Sequence, residues 1–464
     1  RRDRFDRFIS ALVFVPRESF NSDLRQRIGK VLCDAFDGTL TAFYPLYGDA
    51  PLARIHYLID LNAGDKEPNL DRLEELISKV ARSWNDQMRG LIRSHRAELL
   101  SQFSEDVLTN AFTAAYKEAF EPDEGLIDIE HLSGLSDARP IRLRAFRRDG
   151  DTESSLRAKI YAYKEPVELS SCVPVLENMG LFVVSETGYP VKLGMNGADF
   201  WVHDVLMCEQ DRKAIDLSRI KTVFEDAFEA IWTDHCVSDG FNKLVLSNAM
   251  SWREACLFRT FARYRKQTGM DPGQSRQIEA LIKHPDITSD ILKIFKVRFD
   301  PDLQMSLKER ETEAQLLRNQ IQTALTEVES LDEDRVLRRF DELLAAVKRT
   351  SYYQLNENGQ PHDYIAIKIA SREIETLPNP KPYREIFVWA PHVEGVHLRF
   401  GAVARGGLRW SDRQDDFRTE VLGLVKAQQV KNAVIVPVGS KGGFFPKQLP
   451  VSGDRDAFQK EGIR

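Results

Sequence analysis

The sequence has 464 residues, 42% hydrophobic and 29% charged, with 65 Lys and Arg against 71 Asp and Glu for a formal charge of −6. That length suggests about three domains, the composition excludes a disordered or fibrous chain, and the acidic balance excludes a global positive field for nucleic acid or anionic lipid. No apolar run approaches the ~18 residues of a membrane span and mean hydropathy is −0.38, which argues against a membrane protein.

Residues 8 to 15 (FISALVFV) read as a strand, and behind a cap at Asn21-Ser22 the residues Leu24, Ile28, Val31, Leu32 and Phe36 recur at helical spacing, stopped by Gly38. Two more strands, 39 to 46 and 54 to 61, flank a turn at Gly48-Asp49-Ala50-Pro51. A helix carrying Leu70, Leu73, Leu76, Ile77, Val80 and Trp84 follows, so the order βαββα predicts a ferredoxin-like unit over 1–68 leading into a helical stretch over 69–139. After a loop at Glu121 to Gly125 the order recurs more loosely over 140–215. A strand at 156 to 162 precedes a helix at 170 to 179 stopped by Gly180, then strands at 181 to 185 and 200 to 207. Residue identities do not repeat, so the two modules share a pattern and not a sequence.

From 216 to about 350 nearly every segment reads as helical and strand signals are absent. Leu317, Ile321, Leu325, Val328 and Leu331 form a narrow apolar stripe in a charged background, the pattern of a helical hairpin. Beyond 351 the period changes again: strands at 364 to 369, 386 to 389 and 396 to 400, a helix at 420 to 432, and a buried-type strand AVIVPV at 433 to 438. These begin an α/β domain over 351–464, and the fold class expected overall is a multidomain α+β chain.

Cys33, Cys172, Cys208, Cys236 and Cys256 are odd in number and lack CxxC spacing, which reads as reduced thiols in a cytoplasmic protein. The start Arg1-Arg2-Asp3-Arg4 has neither an initiator Met nor an apolar signal core, and 451 to 464 run into a charged stretch, so both ends read as cut.

Three features of the last segment could carry chemistry. In Arg405-Gly406-Gly407-Leu408-Arg409, adjacent glycines admit a ligand to the backbone while the arginines donate charge-assisted hydrogen bonds to carboxylate or phosphate. Gln428 and Lys431 are three apart, placing an amide and an ammonium on one helical face where both could grip one carboxylate. Gly439-Ser440-Lys441-Gly442-Gly443 places Lys441 on a glycine-rich loop past a buried strand, where ligands bind in open α/β sheets. Desolvation and neighbouring cations there would lower the pKa of Lys441 and suit it to act as a base. Taken alone, the same five residues fit a turn with a solvated lysine.

The other candidates are weaker. There is no P-loop frame, no GxSxG and no HExxH, and Ser440 has no histidine beside it in sequence. His392 and His397 read as structural or surface residues, and the acidic runs Asp332-Glu333-Asp334 and Asp415-Asp416 as helix-start charges.

The phrases RGGLRWSDR, DFRTEVLGLVKAQQVKNA and VIVPVGSKGGF together resemble the substrate-binding domain of glutamate dehydrogenases, in their large NAD-specific bacterial form. The resemblance implies ACT-like modules at 1–68 and 140–215, helical motifs at 69–139 and 216–350, and the start of the catalytic domain at 351–464. It also implies L-glutamate and 2-oxoglutarate as ligands, NAD as cofactor, a homo-oligomer and amino-acid catabolism. Carried over, the family's catalytic lysine falls on Lys441 and its α-carboxylate grip on Gln428 and Lys431. Arg405, before Gly406 and Gly407, falls where the small enzymes have a lysine for the side-chain carboxylate and where leucine and phenylalanine dehydrogenases are apolar. The family's catalytic aspartate and NAD domain lie further on, and no GxGxxG occurs in this sequence, so the chain alone is expected to fold but to turn nothing over. Two other readings stand beside this one: a regulatory or assembly segment whose ACT-like modules bind an amino-acid effector or a neighbouring subunit, and a dehydrogenase of a neutral amino acid.

Overall fold

The computed structural model describes the chain except for residues 4–6, 17–19, 47–51, 63–67, 96, 195–198, 272, 432–437, 451–454 and 464. The chain divides into two compact units, Arg1–Pro140 with Tyr161–Pro166 and Gly188–Val202, and Ile141–Ile160 with Val167–Thr187 and His203–Arg464. Among the described residues no helix is long and apolar enough to cross a membrane.

In the first unit, β1 (Phe8–Pro16), α1 (Ser22–Phe36), β2 (Gly38–Leu46), β3 (Leu52–Leu61) and α2 (Leu70–Ala81) follow the expected order. Strand β3 lies between β1 and β2, antiparallel to both. Strand alternation turns Ala53, Ile55, Tyr57 and Ile59 to one face, where they pack with Leu24, Ile28 and Leu32 of α1. The Asn21 side chain caps α1, accepting from the Leu24 amide at 2.7 Å. The expected stop at Gly38 is corrected: Asp37 takes the left-handed position at φ 51°, and Gly38 already begins β2. The turn expected at Gly48 to Pro51 lies outside the described residues.

Helices α3 (Trp84–His95), α4 (Ala97–Gln102), α5 (Glu105–Asn110), α6 (Ala114–Ala119) and α7 (Pro122–Ser133) follow in this unit. The loop expected at 121 to 125 is instead the start of α7, because Pro122 sits in its first turn, where a missing N–H costs nothing. Buried Asp128 of α7 accepts from the hydroxyls of Tyr116 and Tyr161, which satisfies a carboxylate sealed among Met88, Ile92, Leu108 and Ile129.

The second sheet is built from β4 (Ile141–Phe146), β5 (Ser155–Tyr163), β6 (Leu181–Val191) and β7 (Phe200–Glu209), with α8 (Leu169–Asn178) after β5 and α9 (Leu217–Trp232) after β7. Its order is β4-β5-β7-β6, so β5-α8-β6-β7-α9 repeats the order and strand arrangement of the first module, with β4 added at the edge. Strand β4 was not anticipated. Its IRLRAF alternation buries Ile141, Leu143 and Ala145, and the intervening arginines mask the apolar face from a reading by local hydrophobicity.

Helices α10 (Lys243–Asn248), α11 (Trp252–Thr268), α12 (Gln274–Lys283), α13 (Pro285–Phe299), α14 (Leu307–Leu325) and α15 (Leu331–Ala346) follow. From Ala255 to Tyr264 no residue of α11 is more than 8% exposed, so this helix is enclosed on all sides. A capping box starts it: Ser251 Oγ accepts from the Glu254 amide, and the Glu254 carboxylate accepts from the Ser251 amide. Replacing Ser251 with alanine removes half of this box and should cost about 1 kcal/mol, read as a lower urea midpoint. The apolar stripe of the expected hairpin is corrected beyond Leu325, where α14 stops; Leu331 opens α15 and is 79% exposed.

The all-helical reading also fails at its end, since Val347–Thr350 is strand β8. With β9 (Ile365–Ile369), β10 (Arg384–Trp389), β11 (Val393–Arg399), β12 (Ala404–Arg405), β13 (Leu408–Trp410) and β14 (Val438–Pro446) it forms a seven-stranded sheet. The order is β8-β9-β10-β11-β14-β12, with β13 also on β14. Neighbours are antiparallel up to β14, whereas β12 and β13 run parallel to it. Helices α16 (Phe417–Lys431) and α17 (Arg455–Ile463) belong to this region.

Candidate functional site

The residues singled out in the sequence converge on β14 and α16. Gly439 to Gly443, expected as a loop past a strand, lie inside β14: Leu398 of β11 is registered opposite Lys441, and Leu408 of β13 opposite Gly442. Positions 433 to 437 of the expected preceding strand lie outside the described residues.

The glycines are there for packing. A Cβ on Gly443 would sit 2.4 Å from Val421 Cγ2 of α16, and one on Gly439 would sit 3.1 Å from Gln428 Oε1, so their absence lets α16 lie directly on the strand. Alternation puts Gly439, Lys441 and Gly443 on that same face. Of the five residues 439 to 443, Lys441 alone therefore presents a side chain towards α16. On the opposite edge of β14, a Cβ on Gly406 would fall 1.3 Å from the Ser440 carbonyl oxygen, so only glycine can bring this turn so close. Gly407 accepts from the Gly442 amide at 3.0 Å and locks the RGG segment to the strand.

Helix α16 is held at its start by a set of charges. Arg418 forms a bidentate pair with Glu385 of β10, at 2.6 and 2.8 Å, and both side chains are almost wholly buried. The Arg418 amide donates to Gln267 Oε1 of α11 at 3.1 Å, and Lys266 pairs with Asp415 at 2.6 Å. Glu420 accepts from Ser411 at 2.6 Å and from Arg409, and these two partners hold its carboxyl below the usual carboxylate range. The expected role of Asp415 and Asp416 as helix-start charges becomes more specific: they pair with Lys266 and Arg413.

Gln428 links the two halves of the site. Its Nε2 donates to the Arg405 carbonyl at 3.2 Å, whereas its Oε1 is buried and has no hydrogen-bond partner among the described residues. An acceptor buried without a donor is costly by about 1–3 kcal/mol. The Arg405 guanidinium is exposed and has no ion-pair partner among the described residues. Lys431 closes α16, and its side chain lies outside the described residues. The fold thus brings together the backbone of 405 to 407, the Gln428 amide and the strand carrying Lys441.

Sequence reasoning passed over one pair here. Ser440, which has no histidine near it in sequence, meets Nε2 of His397 at 2.8 Å on the face of β14 away from α16. Burial, with the nearby Arg399 cation, holds the His397 imidazole below its ordinary pKa and so favours the neutral ring. Forty-three residues separate the partners, and only the β11–β14 register, with His397 opposite Gly442, unites them.

Family profiles match the chain in five places: "Bacterial NAD-glutamate dehydrogenase, catalytic domain" over residues 320–464, "Glutamate dehydrogenase, ACT2 domain" over 1–85, "ACT3 domain" over 140–220, "helical motif 2" over 108–135 and "helical motif 3" over 236–301. Along its whole length the chain is similar to proteins named NAD-specific glutamate dehydrogenase, at 41% identity in Halomonas elongata, 39% in Pseudomonas aeruginosa and 35% in Mycobacterium tuberculosis. It spans 28%, 29% and 30% of those relatives' lengths.

Proposed function

We propose that the chain is part of a bacterial NAD-glutamate dehydrogenase and that its α16–β14 site holds the amino-acid substrate of an enzyme converting L-glutamate, NAD and water to 2-oxoglutarate, ammonium and NADH. The observation that carries the proposal is the packing of α16 on a strand stripped of side chains around Lys441. It sets Lys441 on the face of β14 that α16 covers, and Gln428 of that helix is fastened to the Arg405 carbonyl before the paired glycines.

In this reading Gln428 and Lys431 grip the substrate α-carboxylate, and Arg405, with the backbone at Gly406 and Gly407, takes the side-chain carboxylate. Lys441 receives a proton from the water that adds to the iminium carbon and stabilises charge on the carbinolamine oxygen. The face of β14 that carries Lys441 does not fit NAD itself. The glycines of β14 are closed over by Val421 and Gln428, leaving no room for a pyrophosphate against that strand, and the sequence has no GxGxxG turn. The roles assigned to this chain therefore concern substrate and water. The same reading gives the βαββα modules a ferredoxin-like, ACT-like plan suited to an amino-acid effector or a subunit contact in a homo-oligomer. The repeated strand order and the two ACT matches support it. The unpaired cysteines support a cytoplasmic setting.

Gln428→Leu in the complete enzyme tests the carboxylate grip. KM for glutamate should rise about tenfold, with a smaller change in kcat, because the lost hydrogen bond serves ground and transition states alike. Unchanged steady-state parameters would remove Gln428 from the site.

A further inference from the structure

A second chemical site lies in the same unit, away from α16. Cys236, in the segment after α9, and Cys256, in the second turn of α11, bring their sulfurs to 3.5 Å. Both residues are buried, at 3% and 2% exposure, and neither forms a disulfide. Between them reaches Arg259, whose Nε and Nη2 are engaged by Asp239 at 2.7 and 2.8 Å and whose Nη1 is directed at sulfur, 3.0 Å from Cys256 and 3.7 Å from Cys236. The guanidinium N–H faces both sulfurs, so a cation stands beside either thiol as it loses its proton, and of the two cysteines it is Cys236 that lines the neighbouring cavity. The Cys256 hydrogen bond and the Arg259 cation hold the Cys236 thiol below its ordinary pKa against the opposing effect of burial. Cys172, buried without a cation, is pushed up to about 12, and burial likewise raises Cys33.

Access is provided as well. A cavity of about 600 Å³ is lined by Cys236, Asp239, Arg259, Arg263, Trp389 and Lys447, large enough for a small polar oxidant to reach the Cys236 sulfur.

We propose that Cys236 and Cys256 form a peroxide-oxidisable dithiol, with Cys236 the attacking thiolate and Cys256 the resolving thiol. Cys236 attacks one peroxide oxygen, the O–O bond breaks, and the departing hydroxide takes a proton to leave as water. The Cys256 sulfur then attacks the resulting sulfenic acid, its S–O bond breaks, and a second water leaves. In sum, two thiols and one peroxide give one disulfide and two waters, with two electrons passing from sulfur to oxygen. Closing the pair from 3.5 Å to the ~2.05 Å of a disulfide is a side-chain-scale movement. The product would tie the segment after α9 to α11, the helix whose far end holds the start of α16 through Lys266 and Gln267.

The experiment treats the reduced full-length protein with hydrogen peroxide and maps peptides without reductant. A peptide joining Cys236 to Cys256, two hydrogens lighter than its parts and restored by dithiothreitol, is the expected product. Cys236 should be consumed at least ~10-fold faster than Cys33 or Cys172. In Cys256→Ser the sulfenic acid should persist on Cys236 and be captured by dimedone, and Cys236→Ser should give neither product. The proposal is overturned if wild-type protein of unchanged circular dichroism keeps both thiols while Cys33 or Cys172 oxidises. It is overturned equally if peroxide takes Cys236 to higher oxides with no link to Cys256. The wild-type peptide map decides between these outcomes even if a serine variant folds poorly.

Discussion

Replacing Lys441 with alanine in the complete enzyme should lower kcat by at least ~100-fold while changing KM for glutamate far less. The expectation follows from where the lysine stands. Its strand neighbours on the α16 face are glycines, so the Lys441 amine is the sole functional group that residues 439 to 443 offer on that side. A group that takes a proton from water as the water adds to carbon contributes mainly to the transition state, so its loss appears in kcat. Alanine at this strand position removes the amine without disturbing the pairing to Leu398 or the contacts of Gly439 and Gly443 with α16. Steady-state kinetics over a range of pH provide the check. A kcat within a few-fold of wild type would make Lys441 a structural residue of β14.

The second large effect is expected at Arg405. Its guanidinium is exposed and has no carboxylate partner among the described residues, while its backbone is fastened by Gln428 and its strand lies on β14. A permanent cation so placed favours a substrate with a second carboxylate and leaves an aliphatic substrate facing an unanswered charge, at a cost of about 1–3 kcal/mol. Arg405→Leu should therefore raise KM for glutamate and improve leucine or norvaline relative to it, shifting the ratio of kcat/KM values by ~100-fold. The backbone carbonyl that receives Gln428 is kept in this variant, so the result isolates the side chain. A glutamate KM unaffected by the change would sever Arg405 from substrate recognition and return the neutral-amino-acid reading to equal standing.

Much of the architecture was legible in the residues because it is local. The apolar spacing of Leu24, Ile28 and Leu32, the Asn21 cap and the alternation in β3 each report on a few neighbouring positions, and α1 and β3 formed where they pointed. Errors arose where local signals are ambiguous: Pro122 reads as a breaker until it is known to sit in a helix's first turn, and alternating arginines conceal β4.

The linear sequence by itself determined the element order of the first module, the resemblance carried by RGGLRWSDR and GSKGGF, and the residue types gathered at the site. Only the tertiary structure decided what those residues are for one another. Glycines in succession favour a turn by conformational freedom alone, and what makes 439 to 443 a strand is its pairing between β11 and β13 and the close seat of α16, contacts contributed by residues 11 to 47 positions away. The same holds for the Ser440–His397 and Cys236–Cys256 pairs, whose partners stand 43 and 20 residues apart. Periodicity specifies which face of an element is buried, but which residues meet across buried faces is set by register and packing of the whole sheet and helix assembly, and no local pattern encodes that.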